Sequence, residues 1–472
     1  MPKDSGDSTP NSADFCANFA HTFSRQALRH IATSRTLPLD LGLEGGQIDN
    51  NDDACVTFNK KDPDTMSNGV IIVGAGHAAG QAVASLRAEG YEGPITVIGD
   101  EPYIPYQRPP LSKKFLAGEL DLERVYFKPP EFYEKSNAEM VLGKRVVEIE
   151  RPKKLVHLDD GTTRAYDKLI LATGSRVREL NVPGADLDGV FYLRTVDDVD
   201  AIRAKFNEGG KMVVVGGGYI GLEVAAVARQ HGLDVTVLEM APIVLARVVD
   251  PIVSAFYTRV HTEAGVKIEN GVAVQGFEGS NGKIEKVDCA DGKKFDANFV
   301  VVGVGIIPNI ELAEGAGLKV ENGIYVDEFC QTSDPDIYAI GDCSNHPNAL
   351  LGKRLRLESV HNALEQGKTA AASICGKAKA YAQVPWFWSD QYDLKLQIVG
   401  LSAGYDQAVV RGNPEKDRSF AVFYLRDGVM IASDAVNRAP EHMMSRKFIA
   451  EKAKIPAERL ADESISMKEM LG

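Results

Sequence analysis

Val-Ile-Ile-Val-Gly-Ala-Gly-His-Ala-Ala-Gly is the sequence of residues 70–80, and it determines the architecture of the chain. The apolar run at 70–73 is typical of a strand that is buried on both faces of a parallel sheet. The glycines at 74 and 76 permit a tight turn, after which residues 79–88 are predicted to form a helix and residues 95–98 a second strand. Such a β–turn–α–β unit indicates an α/β fold.

The same unit occurs a second time in the chain. A strand is predicted at 212–215, a glycine turn at 216–221, a helix at 222–230 and a strand at 235–238. Shorter β-rich segments surround the two units, at 146–158, 168–172, 283–287, 299–304 and 323–326. After Pro385 the apolar segments 386–388, 396–399, 408–410 and 420–424 indicate an antiparallel sheet, and a short helical tail follows.

We therefore predict two Rossmann-like dinucleotide-binding domains, the second inserted in the first, and a C-terminal α+β domain with an antiparallel sheet. The first comprises residues 67–181 and 311–384, the inserted one residues 182–310, and the C-terminal one residues 385–472. Residues 1–66 are rich in Ser, Asn and Asp without sustained periodicity, so we expect a disordered extension or a natural start at Met66. The stretch 15–38, which has three arginines and no acidic residue, leaves a transit peptide as the alternative.

Composition excludes several classes of function. The 472 residues carry a net charge of −13, which disfavours a nucleic-acid partner because a phosphate backbone attracts clustered lysine and arginine. No apolar run reaches the roughly 18 residues of a membrane span. The six cysteines show neither Cys-x-x-Cys pairs nor metal-ligand spacing. We therefore expect no metal site, no disulfide framework and no membrane association.

Both glycine turns carry the spacing of a dinucleotide-binding motif. In the first, Gly74, Gly76 and Ala79 allow a pyrophosphate to approach the backbone at the N-terminus of the helix. Unpaired N–H groups and the helix dipole favour anions at that point. Asp100 follows the next strand, near the position expected for an acid that binds a ribose.

The second turn, Gly216-Gly217-Gly218-Tyr219-Ile220-Gly221, is followed by Glu239 at the end of the next strand. A carboxylate at that position accepts hydrogen bonds from ribose hydroxyls and repels a 2′-phosphate, so NADH is favoured over NADPH. Arg247, the nearest basic residue after it, would soften this preference. Two such turns imply two dinucleotides, which is the arrangement for hydride transfer from a nicotinamide to a flavin.

A third segment, Asp336-Ile337-Tyr338-Ala339-Ile340-Gly341-Asp342, resembles the flavin-ribityl motif of the two-dinucleotide flavoprotein superfamily that includes glutathione reductase. The resemblance implies that Asp342 contacts the ribityl chain of FAD. Residues 171–174 are similar to the superfamily's crossover between domains. Disulfide reductases in it carry a cysteine pair, and its peroxide- and oxygen-reducing members carry one cysteine beside the flavin. Lys113 stands where that cysteine would be, which implies that the flavin is the last electron carrier.

The segment Arg108-Pro109-Pro110-Leu111-Ser112-Lys113 resembles the putidaredoxin-reductase and rubredoxin-reductase type of ferredoxin reductase. Other segments similar to that family follow in the family's order. They are residues 192–195, 218–223, 303–309, 358–363 and 385–391. The resemblance covers the chain from about residue 67 to the C-terminus.

The motifs and the resemblance together imply two sets of cofactor-binding residues. FAD, held tightly and non-covalently, would contact Gly74, Gly76, Ala78, Ala79, Asp100, Arg108, Lys113, Val146, Ala172, Arg194, Asp342, Val360 and Trp388. NADH, the exchanging cosubstrate, would contact Gly216, Gly218, Tyr219, Ile220, Glu223, Glu239, Arg247 and Gly305.

Lys113 and Glu223 are the candidate catalytic residues, acting by position and charge rather than as nucleophiles. We hypothesise that they form an ion pair beside flavin N5, where a cation favours the anionic reduced flavin. The alternatives are a lysine that extends to solvent and a solvated helix glutamate.

The resemblance implies an NADH-dependent ferredoxin reductase of the bacterial cytoplasm, either a monomer or a homodimer. It would pass single electrons to a 2Fe–2S ferredoxin or a rubredoxin that feeds a Rieske dioxygenase or a haem monooxygenase in aromatic-hydrocarbon catabolism. An apoptosis-inducing-factor-like flavoprotein is one alternative. An NADH oxidase or peroxidase is another, which Lys113 disfavours.

Docking of an acidic ferredoxin on this acidic chain would require a local basic patch. The candidates are Lys368, Lys395, Arg446 and Lys447. The aromatic residues 386–388 would either cover the flavin edge or form a buried structural cluster.

Overall fold

The computed structural model describes residues 68–471, and the predictions for residues 1–66 lie outside the described residues. The first part of the chain contains β1 (Val70–Val73), α1 (His77–Ala88), β2 (Ile95–Gly99), α2 (Leu122–Val125), α3 (Pro130–Lys135), β3 (Ala138–Leu142), β4 (Val146–Glu150), β5 (Leu155–Leu158), β6 (Thr163–Ala165), β7 (Lys168–Leu171) and β8 (Ser175–Val177). The predicted strand at 70–73 is confirmed. Helix α1 begins at His77 rather than at residue 79, because the extended backbone of Gly76 caps it and the chain turns helical directly afterwards.

The second β–turn–α–β unit lies in the middle of the chain. The elements there are β9 (Val190–Tyr192), α4 (Val196–Glu208), β10 (Lys211–Val215), α5 (Tyr219–Gln230), β11 (Asp234–Glu239), α6 (Pro251–Glu263), β12 (Lys267–Asn270), β13 (Val274–Ser280), β14 (Lys283–Cys289), β15 (Lys294–Asp296), β16 (Phe299–Val302), β17 (Ile306–Pro308), α7 (Glu311–Gly315), β18 (Ile324–Tyr325), β19 (Ile337–Ala339), β20 (Ser344–Asn348), β21 (Lys353–Leu355) and α8 (Val360–Ile374). Helix α5 also begins earlier than predicted, at Tyr219 rather than residue 222, because its N-cap is Gly218.

The last part of the chain contains β22 (Trp386–Gln391), β23 (Leu394–Gly400), β24 (Gln407–Gly412), β25 (Phe420–Arg426), β26 (Val429–Val436), α9 (Ala439–Ala450) and α10 (Ala457–Ala461). These strands form one antiparallel sheet in the order β22-β23-β26-β25-β24, which confirms the predicted sheet and helical tail. Strand β26 was not predicted, because Ser433 and Asp434 interrupt its apolar pattern. Within residues 68–471, no helix combines the length and apolar character of a membrane span.

The first glycine turn follows β1, the central strand of a parallel sheet with the strand order β19-β7-β1-β2-β3. The turn therefore lies where the strands of this sheet reach their carboxyl ends. Strand β1 pairs with β7 on one side and with β2 on the other. Because parallel strands run in one direction, the segments that follow β1, β7 and β19 meet at the same edge. Ligands of open α/β sheets bind at the carboxyl ends of such strands.

The second glycine turn has the same position in a second parallel sheet, with the order β12-β11-β10-β16-β9. Strand β10 precedes the turn and pairs with β11 and β16. Helix α5, which follows the turn, packs on β10 and β11 and also contacts β22 of the antiparallel sheet. The fold thereby brings the start of α5 close to the aromatic strand β22.

Strand β26 carries a buried carboxyl group at the centre of the antiparallel sheet. Asp434 is 2% exposed and accepts a hydrogen bond from the Tyr424 hydroxyl at 2.6 Å. Burial raises the pKa of Asp434 to about 7; the Tyr424 hydrogen bond opposes this shift, and the charge of Asp250 adds to it.

The raised pKa of Asp434 predicts a pH dependence of stability. An unfolded aspartate has a pKa of about 4, so between about pH 4 and pH 7 the unfolded chain holds fewer protons than the fold and stability falls as the pH rises. We expect Asp434→Asn to remove this contribution. The melting temperature of the variant minus that of the unsubstituted protein should therefore increase as the pH is raised from about 4 to about 7. Asp427→Asn, at an exposed carboxylate in the turn before β26, is the control. A difference that is constant with pH would contradict the prediction.

Candidate active site

The first glycine turn is closed on one side and open on the other. Gly74 has a φ of +106°, and a Cβ atom there would lie 2.2 Å from the carbonyl oxygen of Ala172. Only glycine fits such a position. A Cβ atom on Gly76 would meet nothing within 4 Å in the described part of the chain, and this residue caps α1 without a side-chain hydrogen bond. Unpaired helix N–H groups therefore face open space.

The second glycine turn repeats this geometry. Gly216 has a φ of +107°, and its Cβ atom would lie 2.4 Å from the carbonyl oxygen of Gly303. A Cβ atom on Gly218, the N-cap of α5, would meet none of the described residues within 4 Å. Both turns therefore present the same combination of a tight backbone crossing and an open helix N-terminus.

Glu239 lies against the second turn. Its carboxylate accepts hydrogen bonds from the backbone N–H groups of Gly217 at 2.6 Å and Ala241 at 2.7 Å. The two donors fix the carboxylate and leave further lone pairs for a hydroxyl ligand. Nη2 of Arg247, an exposed side chain, lies 3.7 Å from the Cβ position of Gly305, so these two predicted residues are close together.

Charged side chains converge beside the first turn, at the edge where β1, β7 and β19 end. Asp342 accepts a hydrogen bond from the Ser175 hydroxyl at 2.9 Å. Nη2 of Arg194 donates to the same hydroxyl at 2.9 Å and lies 3.5 Å from Asp342. Arg108 donates to the backbone carbonyl of Arg194 and pairs with Glu101 at 2.7 Å. The structure thus brings together three residues of the predicted FAD set.

This cluster has unsatisfied capacity for an anion. Nε of Arg194 is buried without a hydrogen-bond partner among the described residues, and burial lowers the pKa of this group. Burial also lowers the pKa of His77, the first residue of α1, to about 4; Arg108 adds to this shift and Asp342 opposes it. A buried guanidinium N–H without a partner is costly unless a ligand accepts from it. Together with the open N-terminus of α1, it fits the pyrophosphate of a dinucleotide.

Lys113 and Glu223 form the ion pair that the sequence predicted. Nζ of Lys113 lies 2.6 Å from Oε2 of Glu223, and the side chains are 15% and 3% exposed. The alternatives of a lysine that extends to solvent and a solvated glutamate are therefore wrong. Lys113 follows a 3₁₀ turn, Pro109–Ser112, and also donates to the carbonyl of Pro109 at 3.2 Å. The location of this pair beside a flavin stays a prediction.

Two serines that the sequence analysis did not select complete the surroundings of Glu223. Ser112 donates to Oε2 at 2.5 Å, and Ser389 donates to Oε1 at 2.5 Å. Both lie in segments that carry the family resemblance, 108–113 and 385–391, and this position was the available signal. Glu223 therefore joins two parts of the chain, around residues 112 and 389, that are distant from it and from each other in sequence.

Aromatic side chains of β22 adjoin the second turn. The ring of Phe387 lies 4.7 Å from that of Tyr219 and 6.3 Å from that of Trp388, measured between centroids. Trp386 lies 5.4 Å from Trp388, and Arg446 is 5.7 Å from the Trp386 ring. The three β22 residues are half-buried, and Trp386 packs against the hydrophobic core of the antiparallel sheet. Both interpretations of these residues, as a cover of the flavin edge and as a buried structural cluster, stay predictions.

Other predicted FAD residues have separate surroundings. Asp100 is exposed and pairs with Arg145 at 3.0 Å. Val146 is buried in the core beneath the first sheet, and Val360 is the first residue of α8. Ala78 lies under the turn that precedes Asp342, since a Cβ atom on Gly341 would be 3.3 Å from its own Cβ.

The four cysteines of the described residues are free thiols. Cys289, Cys330 and Cys343 are buried, Cys375 is half-buried, and burial raises the pKa of each thiol. A buried thiol with a raised pKa is a poor nucleophile. Residues 68–471 contain no group of three or more His, Cys, Asp or Glu side chains placed to hold a metal ion.

Two sequence families match the chain. Residues 68–367 match the pyridine nucleotide-disulphide oxidoreductase family, and residues 386–471 match the reductase C-terminal family. The second match begins where β22 begins.

Individual relatives match over nearly their whole length. Putidaredoxin reductase CamA of Pseudomonas putida is 44% identical over 410 residues, which are 86% of this chain and 97% of the relative. The ferredoxin–NAD(+) reductase component of the anthranilate 1,2-dioxygenase system of Burkholderia cepacia is 43% identical, over 85% and 98% of the two chains. The reductase in the crystal structure of a covalent putidaredoxin reductase–putidaredoxin complex has a TM-score of 0.83 at 44% identity, over 86% of this chain and 98% of that one.

Proposed function

Because the chain belongs to the pyridine nucleotide-disulphide oxidoreductase family, within its putidaredoxin- and rubredoxin-reductase branch, we propose that it is the NADH-dependent ferredoxin reductase of an oxygenase system. FAD and NADH are its cofactors, and an iron–sulfur protein is the electron acceptor. The names of the relatives favour this function over an apoptosis-inducing-factor-like protein and over an NADH oxidase. The observation that carries it is the Lys113–Glu223 ion pair. Glu223 lies on α5, which begins at the second open dinucleotide turn, and Lys113 stands at the sequence position where the family resemblance implies a cysteine in peroxide- and oxygen-reducing members.

The overall reaction is balanced by two one-electron acceptors. FAD held by these residues would supply the chemistry that links a two-electron donor to one-electron acceptors, so that NADH and two oxidised ferredoxins give NAD⁺, two reduced ferredoxins and one proton. In this scheme the protein residues bind and orient the two dinucleotides and set the charge around them. More specifically, we propose a ferredoxin–NAD(+) reductase whose acceptor carries a 2Fe–2S cluster.

We assign the first glycine turn to resident FAD. The open N-terminus of α1 would hold the pyrophosphate together with Nε of Arg194, which has no hydrogen-bond partner within residues 68–471. Asp342, fixed by Ser175, would accept hydrogen bonds from the ribityl hydroxyls, and exposed Asp100 would do so from the adenosine ribose. Trp388 and Val360 would line the flavin ring.

We assign the second glycine turn to exchanging NADH. The open N-terminus of α5 at Gly218 would receive its pyrophosphate, and Glu239 would accept from the ribose hydroxyls. Exposed Ile220 and Arg247 would contact the nucleotide at the rim. A rim position suits a ligand that must leave in every turnover.

Lys113 would act on the flavin by charge. A buried ammonium group stabilises the negative charge that reduction brings to a neighbouring ring system, and burial strengthens this attraction. Glu223 compensates the same charge when the cofactor is oxidised. The site would therefore have no large uncompensated charge in either oxidation state of the flavin.

We keep the division into three domains that the sequence predicts. We propose an FAD domain of residues 67–181 and 311–384, an inserted NADH domain of residues 182–310 and a C-terminal domain of residues 385–472. The pairing of β19 with β7 in one sheet supports the insertion. We also propose that the protein works in the bacterial cytoplasm, where NADH is supplied. It would be a monomer or a homodimer, and sedimentation velocity would distinguish these two states.

The proposed ferredoxin-docking surface consists of the four exposed cations Lys368, Lys395, Arg446 and Lys447. Arg446 lies over Trp386, which would place it near the electron exit. We expect Arg446→Glu to raise the KM for ferredoxin about tenfold at low salt, because charge complementarity governs association. Reduction of ferricyanide by NADH should be unchanged. Lys416→Glu, at an exposed lysine outside this surface, is the matched control, and an equal effect of both variants would contradict the prediction.

The function is tested by steady-state NADH oxidation with a panel of 2Fe–2S ferredoxins and rubredoxins, each with and without its terminal oxygenase. We expect at least one iron–sulfur acceptor to accelerate NADH consumption far above the rate with oxygen or peroxide alone. Faster turnover with peroxide than with every iron–sulfur acceptor would overturn the proposal.

A further inference from the structure

A row of buried hydrogen bonds leads away from the Lys113–Glu223 pair. Ser389, which donates to Glu223, is 2.5 Å from it and accepts a hydrogen bond from Nε2 of Gln391 at 3.1 Å. Oε1 of Gln391 lies 2.8 Å from Nε2 of His261. Nδ1 of His261 lies 3.2 Å from the Tyr392 hydroxyl. Ser389, Gln391 and His261 are at most 1% exposed.

The charge of Glu223 fixes the direction of every bond in this row. A carboxylate only accepts, so Ser389 must donate to it and must in turn accept from the amide nitrogen of Gln391. The amide oxygen then faces His261, whose Nε2 must carry the proton. Nδ1 of His261 is consequently an acceptor for Tyr392. All four donors point toward Glu223.

The protonation of His261 agrees with this direction. Burial lowers its pKa to about 4, while the hydrogen bond to Gln391 opposes the shift. The imidazole is therefore neutral at neutral pH, with one donor and one acceptor nitrogen, as the row requires.

The row also joins separate elements of the fold. Glu223 lies on α5 and His261 on α6, whereas Ser389 and Gln391 lie on β22. Ser112 and Lys113 reach Glu223 from the turn before α2. Packing alone does not require polar side chains at positions this buried, and each would be costly without its partner.

We propose that His261 is a positioning residue for electron uptake, which acts on the Lys113–Glu223 pair through Gln391 and Ser389. The N–H group at Nε2 of His261 fixes the orientation of the Gln391 amide, and through it that of the Ser389 hydroxyl. The positive ends of these dipoles then all face Glu223. This row holds the carboxylate in one orientation toward Lys113 and makes the local potential more positive. The inference rests on the proposed placement of that pair beside the flavin.

The central test replaces His261 with phenylalanine, which keeps an aromatic ring and removes both nitrogens. We expect the rate constant for reduction of the bound flavin by NADH to fall about tenfold, the effect of losing roughly one buried hydrogen bond between neutral groups. The Kd of NADH should not change. The equilibrium constant for flavin reduction should fall by up to about tenfold, which lowers the midpoint potential by up to about 30 mV in dye equilibration.

Three further variants separate positioning from a merely structural role. His261→Gln, whose amide nitrogen can donate to Gln391, should restore the rate constant to within about twofold of the unsubstituted protein. Gln391→Met breaks the same row without altering α6 and should resemble His261→Phe. Tyr257→Phe, one helical turn earlier on α6, removes a buried hydroxyl that has no partner among the described residues and is the matched control.

The row also predicts non-additivity. In a Ser389→Ala background the row is already interrupted, so His261→Phe should have no further effect on the rate constant. The inference is overturned by a full effect in that background, by equal impairment in His261→Gln, or by losses confined to thermal stability. If Lys113→Met leaves rate and potential unchanged, the proposed role of the ion pair and this inference both fail. If Lys113→Met alters them and both His261→Phe and Gln391→Met do not, only this inference fails.

Discussion

Gly218→Val is expected to raise the KM for NADH by at least about two orders of magnitude, which is a loss of roughly 3 kcal/mol of binding free energy. A Cβ atom at this position meets no atom of residues 68–471 within 4 Å, and the φ of −79° suits any residue. The side chain would instead fill the space in front of α5 that the proposed assignment gives to the pyrophosphate. The helix should lose at most about 1 kcal/mol from the poorer N-cap.

Two matched variants make this prediction specific. Gly76→Val has the same geometry in the first turn and should reduce FAD content without a comparable effect on NADH. Gly216→Val should destabilise the fold itself, because its φ is +107° and its Cβ atom would lie 2.4 Å from a backbone oxygen. Measurements are the KM for NADH, the ratio of FAD to protein, and the melting temperature. An unaltered NADH KM in folded Gly218→Val would contradict the assignment of the second turn.

The glycine turns could be predicted from sequence because their chemistry is local. A steric restriction at Gly74 or Gly216 and an open helix N-terminus at Gly76 or Gly218 arise within a few residues of one strand. The fold class followed from the repetition of that unit. The predicted helix starts are two or three residues late. The helices begin directly after the glycine N-caps, at residues that still belong to the glycine-rich motif in sequence.

The surroundings of Glu223 could be predicted only in part. Lys113 was recognised because it replaces a cysteine in a segment with a family resemblance. Ser389 and His261 reach the same buried region from other elements, and their convergence depends on packing between α5, α6 and β22. No local periodicity in sequence reports such a contact. Strand β26 was missed for a related reason, since buried Asp434 resembles a loop residue until its Tyr424 partner is seen.

Lys113→Met is expected to slow reduction of the bound flavin by NADH about 100-fold or more. Methionine keeps the length of the side chain and removes its charge, so Glu223, which is 3% exposed, remains as a buried anion with two serine donors and no cation. Breaking one side of a buried ion pair costs about 3–5 kcal/mol. The negative charge left behind should also oppose reduction of a neighbouring flavin, so the midpoint potential should fall.

A double-variant cycle separates the charge of Lys113 from the stability of the pair. Glu223→Gln added to Lys113→Met removes the stranded anion, so most of the lost stability should return, whereas flavin reduction should remain slow because the cation is still absent. Lys114→Met, at the exposed neighbouring lysine, is the control and should alter neither property. Stopped-flow reduction, dye-equilibrated potentials and thermal unfolding measure the three quantities. If flavin reduction recovered fully in the double variant, the role of Lys113 would be to neutralise Glu223, and its proposed stabilisation of the reduced cofactor would be wrong.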